Sequence, residues 1–78
     1  MTFKTLREEM TEDAMAIEYA LRSRDELTLN ELTAVCNCAP ERAEFTLEQM
    51  IHFGVATRKR AGRYSLTPAY LAYPVKAA

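Results

Sequence analysis

The sequence predicts a mainly α-helical domain that ends in a small β-hairpin, and three observations carry that prediction. No glycine or proline occurs before Pro40, so the first third of the chain is free to be helical. Its apolar residues Phe3, Leu6, Met10, Ala14, Ile17 and Leu21 recur every three or four positions, the spacing of one helical face. Further on, Val55-Ala56-Thr57-Arg58-Lys59 and Tyr64-Ser65-Leu66-Thr67 flank Ala61-Gly62 and read as two short strands about a tight turn.

The length of 78 residues predicts a single domain over 1–78, with 1–10 as a lead-in or helix extension and 68–78 as a C-terminal tail. So small a domain buries roughly 60% of the surface its unfolded chain exposes, which leaves little room for a deep catalytic pocket. With 49% apolar residues it can fold without metal or disulfide.

Taken in order, Thr5 with Glu8 reads as a capping box, and Thr11 followed by Glu12 and Asp13 as a second N-cap with acids in the first turn. One long helix, or a short lead-in and then a helix from about Thr11 to Arg24, both fit this pattern. In either case Ala14, Ile17 and Leu21 face the core. Asp25-Glu26 breaks the stripe, and Leu27-Thr28-Leu29 alternates like a short strand. Asn30 is a candidate N-cap for a second helix, whose Leu32, Val35 and Cys36 are expected to share a face. Asn37-Cys38-Ala39 connects to Pro40, which suits the first turn of a third helix because its missing N–H costs nothing there. That helix runs to Phe53, with Ala43, Leu47, Met50 and Ile51 in one apolar sector, and Gly54 ends it. Pro68 is expected to stop the second strand. The tail from Ala69 carries Tyr70, Leu71 and Tyr73 and is expected to fray at Val75-Lys76-Ala77-Ala78.

Several classes of protein are excluded. No apolar run reaches the ~20 residues of a membrane span, and acids occupy the place where a signal peptide needs an apolar stretch. Cys36 and Cys38, one residue apart, make a poor disulfide, and two thiols do not make a zinc or iron–sulfur site. A reducing cytoplasmic location, with no metal and no cofactor, is expected. His52 has no nucleophile to form a triad with, no glycine loop cradles phosphate, and no catalytic constellation is present, so the chain is not expected to be an enzyme.

The net charge of −1 hides a split: all eleven acids lie at or before Glu48. Residues 55–78 hold no acid and five bases, namely Arg58, Lys59, Arg60, Arg63 and Lys76. Such a layout implies an anionic partner for the basic end, or a solvated hairpin whose charges keep an edge strand from aggregating.

From Leu27 to Thr67 the chain resembles the winged helix-turn-helix superfamily of small bacterial regulators. The matching residues are Leu29 and Leu32, Cys38-Ala39-Pro40 at the turn, Ala43, Leu47 and Met50 down the third helix, Gly54-Val55-Ala56 closing it, and Arg60 to Thr67 as wing tip and return strand. The resemblance implies a three-helix core plus wing, and a DNA-binding regulator whose third helix enters the major groove. With Leu47 facing inward, Glu41, Arg42, Phe45, Gln49 and His52 point outward at about 100° per residue. On this reading Arg42 pairs with guanine, Gln49 with adenine, Phe45 touches thymine methyl groups, and Thr46 on the flank donates to a phosphate. Arg58, Lys59, Arg60 and Arg63 grip the DNA backbone or minor groove. A homodimer on a palindromic double-stranded site would add phosphate contacts. Its surface would be Phe3, Leu6 and Met10 or Tyr70, Leu71 and Tyr73, unless these residues pad the small core. The third helix also carries Glu41, Glu44 and Glu48, which oppose phosphate and leave a second reading open. In that reading the domain is an interaction module, whose acidic third helix with Phe45 meets a protein partner.

Overall fold

The computed structural model describes residues 2–73. The elements are α1 (Phe3–Glu8), α2 (Glu12–Ser23), β1 (Leu27–Thr28), α3 (Leu29–Cys36), α4 (Pro40–His52), β2 (Ala56–Arg58), β3 (Arg63–Leu66) and α5 (Pro68–Ala72). The expected order of helix, short strand, helix, helix and hairpin is present, preceded by α1 and followed by α5. The fraying expected of Val75 to Ala78 lies outside the described residues.

The lead-in is a helix of its own. Thr11 breaks the chain between α1 and α2, because its hydroxyl accepts from Ala14 N (3.2 Å) and caps α2. The capping box expected at Thr5 is not formed. Thr2 caps α1 instead, accepting from Thr5 N at 3.2 Å, and Thr5 lies inside the helix. A second cap also moves: α3 starts at Leu29, capped by Thr28 and not by Asn30. Thr28 Oγ1 accepts from Glu31 N (3.2 Å) while Glu31 Oε1 accepts from Thr28 N (2.8 Å), a reciprocal box that satisfies two otherwise orphaned donors. Its inward sector is Leu29, Leu32 and Cys36, and at 100° per residue Val35 falls outside it. Val35 is therefore 57% exposed, contrary to expectation.

Pro68 ends β3 as expected, but it also opens α5, since a proline at the first helical position loses no hydrogen bond. Thr67 caps this helix by accepting from Tyr70 N at 3.2 Å, and its hydroxyl proton goes to the Gly54 carbonyl at 2.6 Å.

β3 is the central strand of a three-stranded antiparallel sheet of order β1-β3-β2. Leu27 pairs with Tyr64 on one side, and Ala56, Thr57 and Arg58 pair with Leu66, Ser65 and Tyr64 on the other. The helices and sheet enclose Ile17, Leu32, Leu47, Val55 and Tyr70, all fully buried. Phe3, Leu6 and Met10 pack partly against this core. Of the residues expected at a dimer surface, Tyr70 is buried, Phe3, Leu6, Met10 and Tyr73 are half-buried, and Leu71 is exposed.

One buried charge ties the ends together. Glu18, 7% exposed, accepts hydrogen bonds from Arg7 (2.6 Å), Arg22 (3.1 Å) and the Tyr70 hydroxyl (2.7 Å), which joins α1, α2 and α5. Burial pushes the Glu18 carboxyl pKa up, but the bonds from Arg22 and Tyr70 and the charges of Arg22 and Arg7 outweigh it and hold the pKa below its usual value. The same burial, with the carboxylate beside it, raises the pKa of the Tyr70 hydroxyl. Among the described residues no helix is long and apolar enough to cross a membrane.

Candidate nucleic-acid interface

α4 and the β2–β3 wing carry the residues that the sequence nominates for DNA contact. Asn37, at φ 52°, turns the chain after α3, and Asn tolerates this left-handed geometry better than most residues. Pro40 then starts α4, and burial of Ala43, Leu47 and Met50 fixes its rotation.

Phe45 is 67% exposed and Gln49 is exposed, on the outward side as expected. Arg42 is exposed too, but its guanidinium is engaged. It donates through Nε (3.1 Å) and Nη2 (2.8 and 2.9 Å) to Asp13 in the first turn of α2, and this pair raises the Arg42 pKa further. Thr46, expected on the flank, is turned inward at 9% exposure, because it sits next to the Ala43–Leu47–Met50 sector facing α2. Glu41, Glu44, Glu48 and His52 all face solvent.

The wing is more open. Ala61 (φ 59°) and Gly62 (φ 69°) are consecutive left-handed residues that reverse the chain, and Lys59 N donates to Arg63 O at 2.7 Å to close the turn. Lys59, Arg60 and Arg63 are exposed, and no carboxylate among the described residues forms an ion pair with them. Arg58 differs from them. It pairs with Glu48 of α4 and lies 5.8 Å from the centre of the Tyr64 ring, its partner across the strands. The four wing cations thus divide into one held against α4 and three presented to solvent.

Sequence reasoning missed two features. The Asp13–Arg42 pair joins residues 29 apart, and nothing local signals it. The Glu18 cluster did have a signal: Glu18 stands four residues after Ala14 on the apolar stripe, where a charge needs partners, and Arg22 follows it by four more. Cys36 and Cys38 are both half-buried free thiols, and burial raises the Cys36 pKa.

A helix-turn-helix of α3 and α4 leading into a basic β-hairpin defines the winged helix-turn-helix class, and the chain has that fold. No protein-family model matches the sequence, and no curated protein matches it either. Among solved structures, the chain is similar to a MarR family transcriptional regulator from Silicibacter pomeroyi, at TM-score 0.78 and 18% identity. That match covers 85% of this chain and 48% of the regulator. It is also similar to BpsR of Bordetella bronchiseptica, whose DNA binding is regulated by 6-hydroxynicotinic acid, at TM-score 0.72 and 16% identity over 82% of this chain and 50% of that one. The chain therefore spans about half the length of these structures.

Proposed function

We propose that this chain binds double-stranded DNA as part of a transcriptional regulator, with the wing as its main grip. The observation that carries the reading is the trio Lys59, Arg60 and Arg63, exposed at the hairpin and in no ion pair among the described residues. Both solved neighbours belong to DNA-binding or transcription-regulating proteins, which supports the same reading. The outward Phe45 and Gln49 of α4 then supply base contacts, with Arg42 joining them only if it leaves Asp13. Two copies on a palindromic site, in a reducing cytoplasm, would raise an affinity that three phosphate contacts leave weak.

The test is fluorescence anisotropy with mixed-sequence duplex DNA at low and moderate salt. Three cations on phosphate give a log–log salt slope of about −2.7. The triple variant Lys59→Ala/Arg60→Ala/Arg63→Ala should abolish binding while leaving the fold intact, since all three side chains are exposed. No binding by the unaltered chain at low salt would overturn the reading.

A further inference from the structure

Beside the wing lies a second surface of a different character. A cleft of ≈ 550 Å³ opens between the α1–α2 junction and the outward side of α4. Leu6 and Met10 line it from the α1–α2 junction, Phe45 and Phe53 from α4 and its C-cap, and the buried Met50 and Val55 lie among them. Its lining runs from Glu41 to Phe53, the length of α4, which is about 18 Å at 1.5 Å per residue. That is an elongated groove, and two of its aromatic side chains are substantially exposed: Phe45 at 67% and Phe53 at 42%. Exposed aromatics beside buried apolar residues are the usual anchors of an interface.

The rim decides the chemistry of the occupant. Arg42, the cation on the rim, already has its charge taken by Asp13 through bidentate contacts of 2.8–3.1 Å. Glu9, at the end of α1, and Glu41, in the first turn of α4, both line the cleft and are exposed without a cationic partner among the described residues. An anionic rim around an apolar trough disfavours anionic small molecules and attracts a ligand that is apolar on one side and basic beside it.

We propose that this groove receives a short amphipathic helix of a partner protein, with apolar residues at helical spacing and Lys or Arg on the flanks. This is the helix-in-groove mode of recognition. Bound there, the helix covers Phe45 and Gln49, so it and a DNA duplex contacted by α4 exclude one another. The exclusion rests on the DNA reading; the binding does not.

The probe is a fluorescein-labelled synthetic helix with Leu and Phe on one face and Lys on both flanks. It is compared with a peptide of the same apolar face flanked by Glu, and with a scrambled Lys peptide. The Lys-flanked helix should bind at least tenfold more tightly than either control. Phe45→Ser should weaken it about tenfold, and Glu9→Lys/Glu41→Lys should reverse the preference between the Lys and Glu peptides. All three positions are exposed, so the variants keep the fold. Equal binding of the Lys and Glu peptides, indifference to Phe45→Ser, or saturation by a small aromatic acid with no peptide binding would each overturn the proposal. Duplex DNA added last separates the two readings. Because a Lys-flanked peptide binds duplex itself, the competition is read on the Glu9→Lys/Glu41→Lys chain with the Glu-flanked peptide: its displacement by DNA, lost when Lys59, Arg60 and Arg63 are also replaced by Ala, is the expected result for both. Peptide binding without any DNA binding leaves the groove standing and removes only the DNA function.

Discussion

Replacing Glu18 by Ala removes one acceptor that serves three donors. It leaves Arg7 and Arg22 facing each other across the vacated site and the buried Tyr70 hydroxyl without its carboxylate. Breaking a buried ion pair by removing one partner costs about 3–5 kcal/mol. Both arginine side chains are 32% exposed and can regain water, which places the loss near the lower end, about 3 kcal/mol. For a domain of this size that corresponds to a fall in Tm of roughly 12–24 °C. Thermal unfolding followed by circular dichroism at pH 7 measures it directly. The pH dependence gives a second handle through Glu18→Gln, which keeps the shape and loses the charge. The folded-state pKa of Glu18 lies below its ordinary value of 4.5, so its ionic stabilisation is complete above that pH and is lost as the pH falls through the lower, folded-state value. The stability gap between the unaltered chain and Glu18→Gln should therefore be widest at neutral pH and close on acidification below 4.5. A Tm change under about 4 °C for Glu18→Ala, or a gap that stays constant from pH 7 to pH 3, would refute the assignment of Glu18 as the charged tie between the helices.

Asp13→Asn should free Arg42 for DNA. The salt slope of binding should steepen by up to about 0.9 as one more cation enters the DNA interface, and the exposed pair should contribute little to stability. Thr28→Ala should remove the α3 capping box and cost about 1 kcal/mol in urea unfolding, whereas Asn30→Ala should change stability by less than half of that. Asn37→Val places a β-branched residue at φ 52° and should cost at least 1–2 kcal/mol in the same assay.

The parts of the fold legible from the sequence were those set by local spacing. Ala14, Ile17 and Leu21 lie at helical intervals and are all buried, and Pro40 and Gly54 bracket α4. Where neighbouring residues compete for one role, the pattern was ambiguous. Thr2 and Thr5 both suit a cap, as do Thr28 and Asn30, and the winner is the one whose partner three residues on completes the hydrogen bonds. α5 was missed because Pro68 reads equally as the end of a strand and the start of a helix, and burial of Tyr70 decides between them. At the candidate interface, charge sign and exposure were readable for Lys59, Arg60, Arg63, Phe45 and Gln49. The engagement of Arg42 with Asp13 and of Arg58 with Glu48 was not, because ion pairs between distant segments leave no trace in spacing.

The ring of Phe3 stands edge-on to Tyr70 at 5.2 Å and to Tyr73 at 6.0 Å, so the two extremities of the described chain share one patch of surface, on the side held by Glu18. Topologically the domain is almost a loop already closed. A short linker joining those extremities, with new termini opened between Ala61 and Gly62, gives a circular permutant that retains the core and severs the wing alone. In that molecule folding and gripping become separable: β2 and β3 keep their places in the core and only the wing tip is cut, so whatever binding remains belongs to α4 and its groove.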